Sequence, residues 1–226
     1  MRRILFGALL CCASGTLAAG EPQLNAVGQL LVPGTRFEEG RRRHYDERCS
    51  ATLVSASIAD RSTWLLTAWH CLEYYRDLSR DITYIHSDGG SATAREVASG
   101  GGMHADWALL QLDVALPHPT ALRPTAVEPG MSIVLAGYSK QQPMPANLPL
   151  QVDRSCVIVA SEGPDLASDC RARQGASGGA VFASKQAGGH YLGVVSRGDG
   201  TELSIFVPLR RLEKALRRHL ESPASP

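Results

Sequence analysis

Short runs rich in β-branched and aromatic residues recur along most of this chain, and Gly, Pro, Asp and Ser separate them. Short strands spaced in this way by turn residues are typical of β-barrels and β-sandwiches, and they argue against alternating strand–helix units. The chain has 226 residues, which is enough for one large all-β domain or two smaller units that share a core. The runs are Ser50–Val54, Trp64–Ala68, Ile82–Ile85, Trp107–Leu112, Ile133–Tyr138, Cys156–Ala160, Ala180–Phe182, Tyr191–Ser196 and Ser204–Val207. The sequence therefore predicts an all-β fold.

Prolines punctuate the middle of the chain, as expected for a linker between two halves. They are Pro117, Pro119, Pro124 and Pro129. We therefore divide the folded part into residues 49–121 and 122–226. Residues 21–48 show no clear periodicity apart from Val27–Val32, and we interpret them as an N-terminal extension or pro-segment outside the first half.

One long helix is predicted, over Leu209–Leu220 at the end of the chain. Its leucines fall at i, i+3, i+7 and i+11, which forms one apolar stripe with basic residues elsewhere. Pro208 suits the start of a helix. A basic amphipathic helix of this kind can lie on a membrane surface, but we expect its leucine stripe to dock on the folded domain.

Residues 1–20 have the pattern of an export signal. Arg2 and Arg3 precede a mostly apolar run over Ile4–Leu17, and the small residues of Ala18–Gly20 offer a cleavage site. The apolar run is too short and too interrupted by Gly and Ser to span a membrane comfortably. We expect export by the general secretory route to the periplasm or out of the cell, without stable membrane insertion.

Composition limits the possible partners. Hydrophobic residues make up 44% and charged residues 20% of the chain, and the formal net charge is +1 at pH 7, as in an ordinary globular protein. The basic run Arg41–Arg43 is short and suits a solvated loop. Nucleic acid is therefore not an expected partner.

The cysteines predict disulfides. Two of the six cysteines lie in the signal segment. The other four are Cys49, Cys71, Cys156 and Cys170. An even number in an exported chain implies two disulfides, and the sequence by itself allows three pairings. No C-x-x-C or H-x-x-x-H spacing is present, so no metal site is expected.

Ser177 lies in a glycine-rich segment, with glycine at positions −2, +1 and +2. Glycine allows a tight turn and a close approach of the backbone. A reactive serine needs an accessible hydroxyl and backbone N–H donors directed at the oxyanion that forms when it attacks a carbonyl. The segment by itself also fits a simple β-turn.

Two other segments contain candidate partners for that serine. The apolar run Trp64–Ala68 leads to His70 and Cys71. Cys49 stands at the start of the strand before this one. A disulfide from Cys49 to Cys71 would hold the strand end that presents His70, and a general base must keep a fixed position against the nucleophile. Asp106 directly precedes another apolar run. Aspartate is common in turns, but a carboxylate behind a histidine also fixes the imidazole tautomer and stabilises the imidazolium.

In this order, the segments resemble the motifs of the chymotrypsin-like (trypsin-like) serine proteases. The matching segments are Thr67–Cys71 with T-A-A-H-C, Asp106–Leu109 with D-I-A-L, Gly175–Ala180 with G-D-S-G-G-P and, more softly, Gly193–Gly198 with G-I-V-S-W-G. The similarity runs from about Cys49 to Leu220. It implies two six-stranded antiparallel β-barrels, an active site in the cleft between them, and the C-terminal helix outside.

The resemblance also implies roles for these residues. His70 would be the general base, Asp106 its orienting carboxylate and Ser177 the nucleophile. The N–H groups of Gly175 and Ser177 would form the oxyanion hole. The function implied is an exported serine endopeptidase, a monomer that cleaves protein or peptide substrates through an acyl-enzyme and needs no cofactor.

Substrate binding is implied for the strand that follows. Ser196 would contact the buried Asp106, and Ser196, Arg197 and Gly198 would pair with the substrate backbone as an added strand. Arg197 replaces the usual aromatic residue of the family. The floor of the specificity pocket would lie near Arg171, about six residues before Ser177. Arg197 at the substrate strand, or Arg171 or Arg173 in the pocket, would favour acidic substrates. Arginines at such positions are also common as ordinary surface residues.

Two departures from the family pattern place the chain in the bacterial secreted branch. Ala176 stands where animal members have the aspartate that pairs with the freed N-terminus. Alanine cannot accept that ammonium group, so activation by N-terminal insertion is not expected. Members of the bacterial branch, including glutamyl-endopeptidase-like enzymes, often lack the aspartate too. In that branch a cysteine at the position of Cys170 bonds one on the previous strand, here Cys156.

Two other functions fit parts of the pattern. The first is a catalytically silent homologue that keeps the fold as a binding module. Such homologues usually lose a triad member, whereas all three are present here, although Trp69 crowds the position before His70. The second is an esterase, because residues 175–179 fit Gly-x-Ser-x-Gly. That motif belongs to a strand–turn–helix elbow in an α/β fold, and both the His, Asp, Ser order and the strand pattern reject it.

Overall fold

The strands of this protein close into two barrels joined by an irregular linker. The computed structural model describes residues 21–75, 80–123, 125–140 and 149–220. The strands of the first half are β1 Val27–Glu38, β2 Arg41–Ser55, β3 Arg61–Thr67, β4 Ile82–Ile85, β5 Ser91–Ser99, β6 Ala108–Pro117 and β7 Thr120–Ala121. Those of the second half are β8 Ser132–Tyr138, β9 Leu150–Glu162, β10 Asp165–Ser168, β11 Ala180–Ala183, β12 Tyr191–Gly198 and β13 Ser204–Pro208. The helix is α1 Leu209–Leu220.

The first barrel has the strand order β1-β4-β5-β6-β3-β2, and pairing between β1 and β2 closes it. The short strand β7 adds to β2 in parallel. Leu30, Leu53, Leu65 and Leu110 are fully buried on the same, inner face of the barrel. Alternate residues of a strand point to opposite faces, and near the centre of the protein the outward-facing neighbours Val54, Leu66 and Leu109 are buried as well.

The second barrel is closed in the order β10-β13-β12-β11-β8-β9. Ile133, Val181 and Phe206 are fully buried in its core. Closure of both barrels removes the exposed sheet edges that an open sheet would have. The expected fold class is therefore confirmed, with two six-stranded antiparallel barrels of the chymotrypsin type and a C-terminal helix.

The start of the first barrel corrects one predicted boundary. Strand β1 pairs with β2 along its whole length, from Val27 opposite Thr52 to Glu38 opposite Arg41. The barrel therefore begins at Val27 and not at Cys49, so most of residues 21–48 is a hairpin of the first barrel. The tip of this hairpin, residues 36–44, is exposed on both faces, and such a segment shows no alternation in sequence.

Helix α1 has the predicted bounds. Leu209, Leu212 and Leu216 are buried, and the helix packs against β12 and β13, so the leucine stripe docks on the domain as expected. Arg211 forms an ion pair with Asp165 of β10. No helix among the described residues has both the length and the apolar character needed to cross a membrane.

Both expected disulfides are present. Cys49 is bonded to Cys71 with the Cα atoms 6.2 Å apart, and Cys156 is bonded to Cys170 with the Cα atoms 5.0 Å apart. The first disulfide ties β2 to the turn after β3, and the second ties β9 to the loop after β10. The predicted signal peptide, residues 1–20, lies outside the described residues.

Candidate active site

His70 lies in a single 3₁₀ turn that follows β3. Its position is fixed at two points by one carboxylate, because its backbone N–H donates to Asp106 Oδ1 at 2.9 Å and its ring Nδ1 lies 2.8 Å from Asp106 Oδ2. The next residue, Cys71, is held by the disulfide to Cys49. The imidazole therefore has a set orientation with Nε2 left to face outward.

Asp106 lies just before β6 and is fully buried. Burial by itself would raise the pKa of its carboxyl. Hydrogen bonds from the His70 ring, from Ser196 and from the His70 backbone, together with the electrostatic interaction with the His70 ring, lower it more, so the pKa of Asp106 lies below its usual value. Ser196 Oγ, itself fully buried, donates to Asp106 Oδ2 at 2.6 Å. The carboxylate is thus ionised and satisfied by donors from both barrels.

Ser177 lies on the loop between β10 and β11 and is partly exposed. It lines the same cleft as His70, a cavity of about 440 Å³ between the barrels. Gly178, the next residue, has φ +82°, and a Cβ there would lie 2.1 Å from the Ser50 carbonyl oxygen. Both its conformation and its lack of a side chain are therefore required for the turn that presents the serine hydroxyl.

The backbone of this loop leaves two N–H groups available. The N–H groups of Ala176, Gly178 and Gly179 donate to carbonyl oxygens of the loop or of β12. Within the part of the chain that the structure describes, those of Gly175 and Ser177 donate no hydrogen bond. The Gln174 carbonyl accepts from the Lys140 N–H at 2.6 Å, and the peptide N–H of Gly175 points the opposite way because the peptide is trans.

Most of the predicted substrate-binding residues line the cleft. Ser196, Arg197 and Gly198, at the end of β12, lie there together with Arg173. The ladder between β11 and β12 ends at the pair Ala180–Val194. The described strands therefore leave that edge of β12 open over residues 196–198, which is where an extended peptide can add as a strand.

Arg171 is not brought to the cleft. It lines a neighbouring groove on the second barrel, which meets the cleft at Arg173, and its backbone N–H donates to Asp153 Oδ2 at 3.0 Å. The preceding residue, Cys170, is tied to β9 by its disulfide, which turns this part of the loop away from Ser177. Arg173, two residues further on, is the arginine of this loop that faces the cleft.

Sequence reasoning missed one charged residue of the cleft, Asp199. Its Oδ1 accepts the N–H groups of Thr201, Glu202 and Leu203 at 2.8 to 3.0 Å, and these bonds lower the pKa of the carboxyl. An aspartate that begins a turn is the only signal in the sequence, and it is common in loops. The cleft therefore contains one ionised carboxylate beside two exposed arginines.

The site offers little to a metal ion. Cys49, His70 and Cys71 have potential ligand atoms within 4.8 Å of one another. The two sulfurs are joined in a disulfide, however, and metal ligation by cysteine needs thiolates. This cluster does not fit a metal centre.

Two closed antiparallel barrels with a His–Asp pair and a glycine-framed serine at their junction define the chymotrypsin-like class. Residues 49–194 match the family model of the trypsin-like peptidase domain. The chain belongs to the trypsin-like peptidase family.

Similar proteins agree with that family. Serine protease SP24D of Anopheles gambiae is 30% identical over 173 residues, which cover 68% of this chain and 60% of that protein. The serine endoprotease from Yersinia pestis has a TM-score of 0.62 at 17% identity, over 88% of this chain and 64% of that one. The HtrA-type protease AlgW with decapeptide has a TM-score of 0.61 at 16% identity, over 87% and 66%. The chain thus spans about six-tenths of the length of these relatives, and the two structural matches bear on the fold alone.

Proposed function

We propose that the protein is a serine endopeptidase that hydrolyses peptide bonds through an acyl-enzyme. The observation that carries this proposal is the ordered contact between Asp106 and His70, at 2.8 Å, opening onto the same cleft as Ser177. In this assignment Ser177 is the nucleophile, His70 the general base and Asp106 the group that orients and stabilises the imidazolium.

In this proposal the two ring nitrogens of His70 have different tasks. Nδ1 is engaged by Asp106, so Nε2 accepts the proton as Ser177 Oγ bonds to the scissile carbonyl carbon. The same proton passes to the leaving amine when the C–N bond breaks. A water then attacks the acyl-enzyme, gives its proton to Nε2, and Ser177 recovers a proton as the acid product leaves.

The oxyanion of each tetrahedral intermediate needs preorganised donors. The N–H groups of Gly175 and Ser177 support this role because neither donates a bond to the described residues. The N–H groups of Ala176, Gly178 and Gly179 are engaged, so the loop is held while these two donors remain available. No reorganisation is then required when the negative charge develops.

We infer that the preferred substrates are acidic near the scissile bond. Arg173 and Arg197 are exposed and line the cleft, whereas Asp199 directs its carboxylate to three N–H groups of its own turn. The charge available to a substrate is therefore mainly positive. An extended peptide paired with residues 196–198 would pass beside Arg197.

Export is part of the proposal. The two disulfides require an oxidising compartment to form and persist, and the first 20 residues have the pattern of a signal peptide. Cell fractionation of the full chain, with N-terminal sequencing of the mature form, tests this. Full-length protein retained in the reducing cytoplasm would contradict it.

The proposed function is tested by labelling with a fluorophosphonate probe. Wild-type mature protein should label stoichiometrically, because the base activates Ser177, and hydrolyse a peptide library. Ser177→Ala and His70→Ala should each abolish labelling. Ser161→Ala, which changes an exposed serine of β9, serves as the matched control and should label normally. Folded, disulfide-bonded wild type that neither labels nor cleaves would indicate the catalytically silent binding module instead.

A further inference from the structure

Ser50 is the point at which the first barrel meets the loop that carries Ser177. It lies in β2 beside Cys49 and is fully buried. Its N–H donates to the Ser177 carbonyl at 2.8 Å, and its carbonyl accepts from Thr67 Oγ1 at 2.8 Å. A backbone contact of this kind needs no particular side chain, so it does not explain a serine.

The hydroxyl of Ser50 makes two further bonds across the junction between the barrels. It donates to the Gly175 carbonyl at 2.8 Å and accepts from the Tyr138 N–H at 2.8 Å. One hydroxyl thus joins β2, the end of β8 and the loop of residues 173–179 that carries Ser177, here called the nucleophile loop. All of these groups are buried, where an unpaired polar group is costly.

These bonds fix the peptide groups on both sides of Gly175. The peptide before it is held through the Gln174 carbonyl by the Lys140 N–H, and the peptide after it is held by the Ser50 hydroxyl. Gly175 has φ +96°, and glycine is the residue whose backbone is freest to leave such a conformation. The first bond orients the Gly175 N–H directly. The second fixes the following peptide, and with both peptides held the Gly175 backbone cannot rotate out of this conformation.

The loop has no charged anchor of its own at the neighbouring position. Ala176 is buried and apolar, and its Cα lies only 2.9 Å from where a Cβ on Gly137 would be. Packing alone sets the distance between these backbones, but it leaves the direction of the peptide dipoles free. For the peptide between Gly175 and Ala176 that direction is set from its two ends, by the Ala176 N–H bond to the Arg173 carbonyl within the loop and by the Ser50 hydroxyl from the other barrel.

We propose that Ser50 is a positioning residue. Its hydroxyl keeps the nucleophile loop in the conformation in which the N–H groups of Gly175 and Ser177 can bind an oxyanion, and no activating cleavage is needed. The inference rests on the proposed function, because it assigns Gly175 to the oxyanion hole. It adds a second, cross-barrel requirement for activity. The device is built into β2 and is complete as soon as both barrels are folded.

The experiment compares Ser50→Ala with Ser62→Ala. Ser62 is also buried, and its hydroxyl has the same pattern, since it donates to the Val54 carbonyl at 2.6 Å and accepts from the Trp64 N–H at 3.1 Å. It belongs to β3 and makes no contact with the nucleophile loop in these bonds. We expect Ser50→Ala to lower kcat about 10- to 100-fold with KM changed less than about twofold, and Ser62→Ala to leave both within about twofold.

A second pair separates the hydroxyl from the volume at this position. Ser50→Thr keeps a hydroxyl, whereas Ser50→Val has nearly the same shape as the threonine variant but no hydroxyl. Both residues are β-branched and suit a strand. The threonine variant should be at least about tenfold more active in kcat than the valine variant. Equal activity of the two, kcat of Ser50→Ala within about threefold of wild type, or a loss confined to KM would each overturn the proposal.

Hydrogen exchange of the segment 173–179 provides a readout that does not need activity. The bonded amides of Ala176, Gly178 and Gly179 should exchange at least about tenfold faster in Ser50→Ala and at the wild-type rate in Ser62→Ala. Unchanged exchange in Ser50→Ala overturns the positioning role. An inactive wild type would defeat the proposed function instead, while the exchange result would still decide what Ser50 does to the loop.

Discussion

The two barrels present their parts of the site by different means. The first barrel holds His70 through side chains, with a buried carboxylate and a disulfide as supports. The Ser177 loop of the second barrel is held through its own backbone, whose peptide groups bond Ser50 of the first barrel and Lys140, with glycines where the chain approaches these two residues most closely. A general base needs a fixed ring and a compensating charge, whereas an oxyanion hole needs fixed N–H directions. Changes on the two sides should therefore fail in different ways.

The largest expected effect is on the side-chain half of the site. Asp106→Asn should lower kcat/KM about 10⁴-fold, because an amide can hold His70 in the wrong tautomer and cannot stabilise the imidazolium. The measurement is steady-state hydrolysis of a peptide found by library profiling.

Asp113→Asn is the matched control for that change. Asp113 lies on β6, the strand that Asp106 precedes, is exposed, and accepts the Thr93 N–H at 3.0 Å. It should leave kcat/KM within about twofold, since a surface substitution of this kind has little effect. Similar losses in both variants would show that damage to β6, and not to the His–Asp pair, lowers activity.

The next effect is on the backbone half. Gly178→Ala should destabilise the fold by about 3 kcal/mol or more, because its Cβ would overlap the Ser50 carbonyl oxygen in a conformation that already disfavours alanine. Gly40→Ala has a similar φ, +75°, but nothing lies within 4 Å of its Cβ, so about 1 kcal/mol is expected. Urea denaturation measures both. Equal losses would mean that the close approach at Gly178 does not hold the loop.

A smaller effect is expected from the rim of the cleft. Arg197→Gln should lower kcat/KM about 5- to 20-fold for peptides with an acidic residue near the scissile bond, and much less for neutral peptides, because only the acidic ones lose a charge partner. Arg173→Gln should act in the same direction. Arg171→Gln is the control, since Arg171 lines another groove. A wild-type preference for neutral peptides would remove the basis for this prediction.

The most gradual effect is on stability as a function of pH. The pKa of Asp106 is lowered in the folded protein, so its contribution is fully present above the unfolded value of about 3.9 and is lost as pH falls through the folded pKa. Thermal melting of wild type should therefore decline below about pH 4 more steeply than that of Asp106→Asn. Parallel curves for the two proteins would contradict the shift.

The parts that were predictable from the sequence are those with a strong local signal. The terminal helix has a full 3.6-residue periodicity, and its bounds agree with the structure. His70, Asp106 and Ser177 were predicted because their segments resemble the family motifs in the same chain order, and the structure brings His70 and Asp106 into contact and Ser177 into their cleft.

The parts that were missed lack such a signal. In β1 and β2 the outer residues are exposed on both faces, and Glu39 takes φ +51° in a turn where Asn or Asp is usual. Strand β5 has a single buried side chain, that of Ala92, so it shows no alternation. Arg171 was assigned to the cleft by counting residues, but the direction of its loop depends on a disulfide and on Asp153, which only the folded chain brings together.

The hydrogen bonds between β2 and the Ser177 loop make the proposed active site depend on the folding of both barrels. A chain with only its second barrel formed lacks the groups that hold the Gly175 and Ser177 carbonyls, and a chain with reduced cysteines lacks the disulfide beside His70. The proposed active site is therefore complete only after both barrels have folded and the disulfide has formed. For the proposed peptidase, this means that the nascent chain has no assembled active site while it is still inside the cell that makes it.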